Sequence, residues 1–289
     1  MARPRFVRTA PMPLRGRLAP TPTGFLHVGH ARTFATAAAR AGAAGLVLRI
    51  EDLDGPRCRE EFTAAAVEDL RWLGIDWTEG PDVGGPHGPY AQSERTAWHL
   101  EVWRRLEAAG AIYPSPHSRR DVDEAATAPH ERGSDADDAE LVFPAILRPT
   151  AWDRAASPGG VPWRFRVPDG RVIEFDDALC GRVHRTAGVD FGDFVVWRRD
   201  AVPAYELAVV ADDHAMEIAE VVRGEDLLTS TARQLLLYEA LGWQPPAWCH
   251  APLVRDAAGH RLAKRTGGLA IRELREKGVA PSDVLRCHV

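Results

Sequence analysis

The stretch that decides the fold is residues 17–30, which read RLAPTPTGFLHVGH. It starts as a short strand, and a Pro-Thr-Gly turn ends that strand. Residues 31–40, ARTFATAAAR, have the composition of a helix, so His27 and His30 are expected on one face at its first turn. The unpaired N–H groups and the dipole of a helix N-terminus favour an anion there. Gly29 leaves room for a flat ligand to approach the backbone between the histidines.

A second apolar segment, residues 45–50 (GLVLRI), is typical of a strand that is covered on both faces. The connection between the two strands is long enough for a right-handed crossover, so they are expected to be parallel neighbours. The loop after Arg17 and the acidic end of the second strand at Glu51 then open at the same carboxyl edge of the sheet, where ligands bind in such folds. The sequence therefore predicts an α/β fold with a nucleotide-activating site at this edge.

Two histidines three apart are, taken alone, most often surface residues beside a turn. Residues 17–30 as a whole, however, are similar to the first signature of class I aminoacyl-tRNA synthetases, in the form typical of the glutamyl branch. Further motifs of that branch follow in order, namely residues 49–54 (RIEDLD), 205–211 (YELAVVA), 221–226 (VVRGED) and 261–265 (RLAKR). Residues 264–268 (KRTGG) and the short C-terminal part resemble the glutamyl-Q tRNA(Asp) synthetases, the short branch without an anticodon-binding half.

This resemblance implies a Rossmann-like parallel sheet that is interrupted by an α+β insertion and followed by a short C-terminal helical segment. We expect the first half of the catalytic domain at residues 1–111 and an insertion, similar to an acceptor-binding subdomain, at residues 112–190. The second half is expected at residues 191–250, and residues 251–289 are expected to hold a flexible lysine loop and C-terminal helices, with no anticodon-binding domain. Inside the insertion, strand-like segments flank Asp169-Gly170, which predicts a hairpin turn.

Amino-acid activation is the attack of a carboxylate on the α-phosphorus of ATP, with negative charge building on the phosphoryl oxygens. Positioning and positive charge supply most of the catalysis in such chemistry. The resemblance assigns it to His27, His30 and Lys264, and these three residues with Gly29 are expected to bind ATP. Lys264 is one of only two lysines in the chain, and an ammonium on a flexible stem can follow a migrating phosphate. The alternative for Lys264 is a solvated basic turn.

A glutamate side chain calls for a guanidinium partner, and its ammonium calls for a carboxylate. By resemblance, Arg17 and Arg223 hold the side-chain carboxylate and Glu51 takes the α-amino group. Tyr205 is expected to close the pocket with its hydroxyl, and Thr21 to contribute another hydroxyl.

The acidic run after the second strand leaves an alternative open. Glu51, Asp52 and Asp54 can instead be ordinary loop carboxylates that cap the next helix. We favour the binding role for Glu51 and the loop role for Asp52 and Asp54.

Many glutamyl-Q synthetases carry a zinc site, with Cys-x-Cys just after a Tyr-Pro dipeptide and a Tyr and a Cys further on. Here the corresponding positions are occupied by Ser115, His117, Phe143 and Leu147. Two histidines, His117 and His130, fall short of the closed tetrahedral set of structural zinc. We therefore expect ATP with Mg²⁺ as the cofactor and no bound zinc.

The composition of the chain bears on its partners and on its location in the cell. The net charge of −5 argues against a generally basic nucleic-acid binder, although a local basic face remains possible. Four scattered cysteines, no signal peptide and no apolar run of membrane length predict a cytoplasmic protein, which we expect to be a monomer. Arginines that could form a phosphate-binding track, or be ordinary surface residues, are Arg119, Arg120, Arg164, Arg166, Arg182, Arg185, Arg198 and Arg199.

The function implied by the resemblance is that of an ATP-dependent ligase. It would convert L-glutamate to glutamyl-adenylate and transfer glutamate to the queuosine base in the anticodon loop of tRNA(Asp). One alternative is a truncated glutamyl-tRNA synthetase that charges a tRNA 3′ end. The other is a non-catalytic tRNA-binding relative, which the presence of His27, His30 and Lys264 disfavours.

Overall fold

The predicted parallel unit is present at the start of the fold. In a computed structural model, which describes residues 14–42, 45–126, 142–155, 157–253 and 270–286, strand β1 (Gly16–Leu18) pairs in parallel with β2 (Leu46–Leu48). Helix α1 (Val28–Ala41) makes the crossover between them and buries an alanine-rich face with Phe34 against the sheet. Lys264 and His130 lie outside the described residues.

The second half of the sheet comes from the far end of the chain. Strands β8 (Glu220–Gly224) and β9 (Ala247–Ala251) are parallel to each other. Strand β8 lies beside β1, because the Ala219 amide donates a hydrogen bond of 2.8 Å to the Arg15 carbonyl. The carboxyl ends of β1, β2, β8 and β9 therefore meet at one edge, as the predicted α/β fold requires.

The helices around this sheet are α2 (Glu60–Trp72), α3 (Thr96–Ala108), α5 (Tyr205–Ala215) and α6 (Leu228–Leu241). Gly242 ends α6 in the left-handed conformation, with φ of 69°. Ser93 lies in a short 3₁₀ turn before α3, where its amide and hydroxyl donate to the carboxylate of Asp52. Among the described residues, no helix is long and apolar enough to span a bilayer.

Residues 112–197, which extend past the predicted end of the insertion and are called the insertion from here on, contain strands of two different sheets. Strands β3 (Ile112–Pro114), β4 (Trp163–Phe165) and β7 (Phe194–Trp197) form an antiparallel sheet with β4 in the middle, and α4 (Arg119–Ala126) follows β3. Strands β5 (Val172–Asp177) and β6 (Gly181–Thr186) form a hairpin whose β5 also pairs with β9.

The prediction of a hairpin through Asp169-Gly170 was wrong. Gly170 does turn the chain, with φ of 77°, but both edges of β4 are already paired with β3 and β7. Strand β5 therefore cannot pair with β4, and it joins the sheet of β8 and β9 instead. The domain boundaries at residues 111, 190 and 250 stay predictions.

The core lies on both faces of the central sheet. Val221 and Trp248 contribute to the larger hydrophobic cluster, whereas their neighbours Val222 and Cys249 contribute to the cluster under α1 and α2. This alternation is that of strands covered on both faces. Two short helices, α7 (Ile271–Glu276) and α8 (Pro281–Arg286), pack on the second cluster through Ile271 and Val284.

Candidate active site

A cavity of about 440 Å³ opens at the carboxyl edge of the sheet. Its lining contains every residue to which the sequence assigned a binding or catalytic role, except Lys264, which lies outside the described residues. These residues are Arg17, Thr21, His27, Gly29, His30, Glu51, Tyr205 and Arg223. Other lining residues, Ala19, Val222, Gly224 and Asp226, lie within the quoted motifs, whereas the sequence did not point to Thr33, Phe34, Leu227, Pro252 or Leu253. Thr33 and Phe34 follow His30 in α1, and Leu227 directly follows the motif at residues 221–226. This closeness in sequence is the one signal that could have identified them.

The two histidines are built into the start of α1. His27 is the residue before the first helical turn, and its Nδ1 accepts a hydrogen bond of 3.1 Å from the Gly29 amide. His30 Nδ1 accepts in return from the His27 amide at 3.2 Å. The ring centres lie 3.9 Å apart. This reciprocal capping arrangement fixes both imidazoles at the positive end of the helix, where a phosphate is favoured.

Arg223 lies at the base of the pocket and is held by neutral acceptors. Its Nη2 donates to Thr231 Oγ1 at 2.6 Å, and its Nε lies 3.2 Å from His250 Nε2. Longer contacts of 3.4 and 3.5 Å join it to the hydroxyl of Tyr205 and the carbonyl of Leu227. Only 4% of Arg223 is exposed, yet no carboxylate of the described residues forms an ion pair with it.

Arg17 and Glu51 belong to a second group of buried charges beside Arg223. Arg49, which is fully buried, donates to Asp213 at 2.6 Å and to Glu51 at 3.0 Å. Arg17 donates to the Val222 carbonyl at 2.9 Å, and its Nε is 3.5 Å from Asp213. Burial raises the pKa of Glu51, while the charges of Arg49 and Arg17 pull it down. An ammonium ion next to Glu51 would favour its ionised form.

The three guanidiniums at the base of the pocket differ in their partners. Arg17 and Arg49 lie within ion-pair distance of Asp213, and Arg49 also contacts Glu51. Arg223 has no carboxylate of the described residues within that distance, because the buried Asp177 reaches it only through an imidazole. Buried charge is costly without a partner. Arg223 therefore suits a carboxylate of the ligand, such as that of an amino acid with a second carboxylate.

The two acidic residues after Glu51 lie apart from this pocket. Asp52 accepts hydrogen bonds of 2.8 and 2.6 Å from the Ser93 amide and hydroxyl. Asp54 is paired with the exposed Arg57. Neither lines the cavity, so the structure gives both a role in holding the loop, as the sequence favoured.

Two of the four positions at which the sequence comparison expected zinc ligands, Ser115 and Phe143, contact an arginine here. The Arg164 guanidinium lies 4.2 Å from the centre of the Phe143 ring and its Nε is 3.3 Å from Ser115 Oγ. It also donates to the Asp193 carbonyl at 2.9 Å. Neither a hydroxyl nor an aromatic ring replaces the thiolates of a structural zinc site, and a guanidinium cation lies between them here. No metal-binding group of three or more His, Cys, Asp or Glu occurs in the described ranges, and the absence of zinc stays a prediction.

The arginines considered for a phosphate track are mostly bound to the protein itself. Arg164 is part of the insertion core, and Arg182 bridges Glu174 and Asp176 on the surface. Arg166 stacks over Tyr113 and Trp152. Surface arginines in such pairs can exchange partners at little cost, whereas Arg164 cannot. A contact between Arg164 and nucleic acid is therefore not expected.

Comparison with known proteins places the chain among the tRNA synthetases. The family described as "tRNA synthetases class I (E and Q), catalytic domain" matches residues 13–288. A protein of Nitratidesulfovibrio vulgaris named glutamyl-Q tRNA(Asp) synthetase is 46% identical over 277 residues, covering 94% of this chain and 84% of that protein. Glutamate–tRNA ligase 2 of Syntrophus aciditrophicus is 41% identical and matches 94% of this chain but 56% of its own length.

A solved structure shows the same fold. The crystal structure of a glutamate tRNA ligase from Elizabethkingia meningosepticum, in complex with its amino acid, has a TM-score of 0.71 and 28% sequence identity. The match covers 92% of this chain and 53% of that one, so this chain spans about half the length of the solved ligase. By its match over residues 13–288 and its fold, the chain belongs to the class I tRNA synthetases of the E and Q type.

Proposed function

We propose that this protein activates L-glutamate with ATP and transfers the glutamyl group to the queuosine base in the anticodon loop of tRNA(Asp). The observation that carries the proposal is the pair of buried guanidiniums Arg17 and Arg223, the second without an ion pair to any described carboxylate, next to a helix N-terminus that holds two histidines. The name of the Nitratidesulfovibrio relative supports the same acceptor.

The charges that line the pocket support one orientation for glutamate. The side-chain carboxylate would accept from Arg223 and Arg17, and the α-ammonium would donate to Glu51. The α-carboxylate then faces His27 and His30 at the start of α1, where the α-phosphate of ATP is expected. One carboxylate oxygen attacks the α-phosphorus and pyrophosphate leaves, which gives glutamyl-adenylate. A nucleophile of the acceptor then attacks the glutamyl carbonyl carbon and AMP leaves.

The remaining participants are part of the same proposal. The family uses ATP, and we expect Mg²⁺ to accompany it and zinc to be absent. Lys264 would stabilise the departing pyrophosphate, and Lys264→Ala should slow adenylation by about 10²-fold, as loss of a charge-stabilising donor does. Activity in the cytoplasm and a monomeric state are further expectations.

The acceptor separates this proposal from its alternative. Glutamate–tRNA ligases are also close relatives, and an enzyme of that kind would charge the tRNA 3′ end. The test is to offer [¹⁴C]glutamate and ATP with an isolated anticodon stem-loop that carries queuosine, the same stem-loop without the modification, and a 3′ acceptor minihelix.

We expect label only on the modified stem-loop, and no loss of labelling when full-length tRNA is treated with periodate at its 3′ end. Proteins read unstacked single-stranded bases specifically, so a stem-loop should suffice. Label on the minihelix alone would establish the truncated-synthetase alternative. A protein with no glutamate-dependent exchange between ATP and pyrophosphate, with or without tRNA, would be the non-catalytic relative.

A further inference from the structure

Arg223 has a neighbour on the next strand that none of the sequence motifs includes. His250 lies in β9 as the register partner of Arg223 in β8. It is completely buried, and its Nε2 lies 3.2 Å from Arg223 Nε and 2.9 Å from Thr231 Oγ1. Its other ring nitrogen, Nδ1, lies 2.6 Å from a carboxylate oxygen of Asp177 at the end of β5. Three strands thus join in one chain of contacts that ends at the pocket.

Asp177 decides which ring nitrogen of His250 carries the proton. The carboxylate accepts hydrogen bonds from the backbone amides of Leu179 at 3.0 Å and Cys180 at 2.9 Å, and from the His250 amide at 3.0 Å. Burial alone would raise the pKa of Asp177, but the hydrogen bonds from His250 and these amides outweigh it and lower the pKa. An ionised carboxylate only accepts, so His250 Nδ1 must be the donor.

The proton on Nδ1 determines how the other ring nitrogen of His250, Nε2, can bond. Burial, aided by the charge of Arg223, lowers the pKa of His250 despite the bond to Asp177, so the imidazole is neutral. With the proton on Nδ1, the lone pair of Nε2 points at the Nε–H of Arg223. Thr231 Oγ1 accepts from the Nη2 of the same guanidinium. Two neutral acceptors therefore fix the plane of the guanidinium while its charge stays unneutralised.

We propose that His250, oriented by Asp177, is a positioning residue that holds the Arg223 guanidinium for a ligand carboxylate and thereby sets the preference for a carboxylate over an amide. This inference rests on the proposed function, since it assigns the carboxylate to glutamate. A carboxylate in place of His250 would fix Arg223 equally well but would neutralise it. Asp177 fixes the neutral imidazole of His250, and the imidazole in turn fixes Arg223. The Asp177 carboxylate itself does not contact the guanidinium.

Two substitutions at one position separate the positioning role from packing. In His250→Gln the side-chain amide places a hydrogen-bonding atom near the position of Nε2, so Arg223 keeps an acceptor. In His250→Asn the polar group sits near the position of Nδ1, so Asp177 keeps its partner and Arg223 Nε loses its acceptor. The assay is glutamate-dependent exchange between ATP and pyrophosphate, with tRNA present, and a thermal melt is recorded for each variant.

For His250→Asn we expect the KM for glutamate to rise roughly 10- to 100-fold, the range that a hydrogen bond to a charged group carries. The KM for ATP and kcat should change less than about 3-fold, and the preference for glutamate over glutamine should fall with the KM. His250→Gln should keep the KM for glutamate within about 3-fold of the natural protein. Equal KM values for the Asn variant and the natural protein, or equal losses in both variants, would overturn the inference.

A measurement on the unsubstituted protein covers the case in which a variant does not fold. Long-range ¹H–¹⁵N NMR correlation of ¹⁵N-histidine-labelled protein reports the tautomer of each ring. We expect one buried histidine with a proton on Nδ1 and none on Nε2, and its Nε2 shift should move on addition of glutamate. A proton on Nε2, or a doubly protonated ring, contradicts the inference. Absence of exchange activity in the unsubstituted protein would instead count against the proposed function, and the two failures are therefore distinct.

Discussion

Two regions of this protein bury arginine side chains, and they use them in opposite ways. In the insertion, Arg148 donates to Asp193 through Nε and Nη2, at 2.7 Å each, and to Asp169 at 2.8 Å. In the pocket, Arg223 contacts a hydroxyl, an imidazole and a carbonyl but no carboxylate of the described residues. The first guanidinium is matched in charge by the protein, whereas the second still has a charge to be matched.

The energetic reasoning differs accordingly. A buried ion pair that is fully hydrogen-bonded holds its elements in place, and removing one partner costs about 3 to 5 kcal/mol. A buried charge without a partner lowers stability, and proteins retain such groups where function needs them. The comparison therefore assigns the insertion arginines to structure and Arg223 to ligand binding. The two roles can be tested separately, by measuring ligand selection and stability.

The largest effect is expected for the choice between glutamate and glutamine. Glutamine offers a neutral amide to Arg17 and Arg223, which would leave a buried positive charge uncompensated. Discrimination built on such partners reaches about 10⁴-fold in kcat/KM. Exchange between ATP and pyrophosphate measured with each amino acid checks this value. Similar rates with both amino acids would show that the guanidiniums at the base of the pocket do not select the ligand.

Arg223→Ala is expected to lower kcat/KM for glutamate on the order of 10³-fold, because it removes one partner of a buried charge pair with the ligand. Stability should stay the same or rise, since the folded protein loses an unmatched charge. Exchange kinetics and denaturant unfolding are measured on the same preparation. A large loss of stability would mean that Arg223 is structural after all.

The reverse result is expected at Asp193 in the insertion. Asp193 accepts from Arg148, from the Tyr113 hydroxyl at 2.5 Å and from the Val167 amide at 2.9 Å. Asp193→Asn removes the buried one of the two carboxylates that pair with Arg148 and should lower the free energy of unfolding by about 3 kcal/mol, with no change in the KM for glutamate.

The matched control is Arg182→Gln, in an ion pair that is half exposed on β6. It should leave stability unchanged within the error of the measurement, because the pair is exposed to solvent. Equal effects of the two substitutions would show that burial of the insertion pair does not matter. A raised KM for glutamate in Asp193→Asn would show that the insertion shapes the pocket.

The sequence was sufficient to predict the pocket and insufficient to predict this contrast. Arg17, Glu51 and Arg223 each stand at the end of an apolar strand, so the parallel sheet was bound to bring them to one edge. The charge pairing is a different matter. Arg49 meets Asp213 and Arg148 meets Asp193 across 164 and 45 positions of sequence. No local pattern indicates which distant carboxylate neutralises which arginine.

The dependence on partners far away in sequence also explains the incorrect predictions for the insertion. Asp169-Gly170 has the sequence of a hairpin turn, but the choice of strand partners depends on which edges are already occupied. The sequence left Arg164 as a candidate for a phosphate-binding track or for an ordinary surface residue. Its partners Ser115 and Phe143 come from other parts of the insertion, and only the fold reveals that they enclose it.

The smallest effect on stability is expected at a buried negative charge, which can be compared with the buried arginines. Asp69 of α2 is completely buried, and neither of its side-chain oxygens has a hydrogen-bond partner in the described part of the chain. The nearest cation, Arg275 of α7, has its Nη1 3.7 Å from Asp69 Oδ1. Burial raises the pKa of Asp69 from 3.8 to about 6, and the Arg275 charge offsets this only in part. Asp69 is thus an incompletely matched anion.

The sign of its pH dependence follows from linkage. Because the pKa is higher in the folded state, folding favours the protonated form, and stability is lost as pH rises from about 4 to about 6. Above that range the ionised carboxylate destabilises the fold by at most about 3 kcal/mol, at 1.36 kcal/mol for each pKa unit. Asp69→Asn removes the charge but brings an N–H without an acceptor, so we expect a gain of about 1 kcal/mol at pH 7.5 and none at pH 4.

Denaturant unfolding at the two pH values tests the expectation for Asp69, with Glu68→Gln as the control. Glu68 also pairs with Arg275, at 3.3 Å, but its side chain is 64% exposed. Its replacement should change stability by less than about 0.5 kcal/mol at either pH, as is usual for surface pairs. If Asp69→Asn destabilised the protein by the same amount at both pH values, Arg275 would be neutralising Asp69 fully at 3.7 Å. Contact at hydrogen-bond distance would then be a poor criterion for a matched charge, and the contrast between Arg223 and Arg148 would lose its basis.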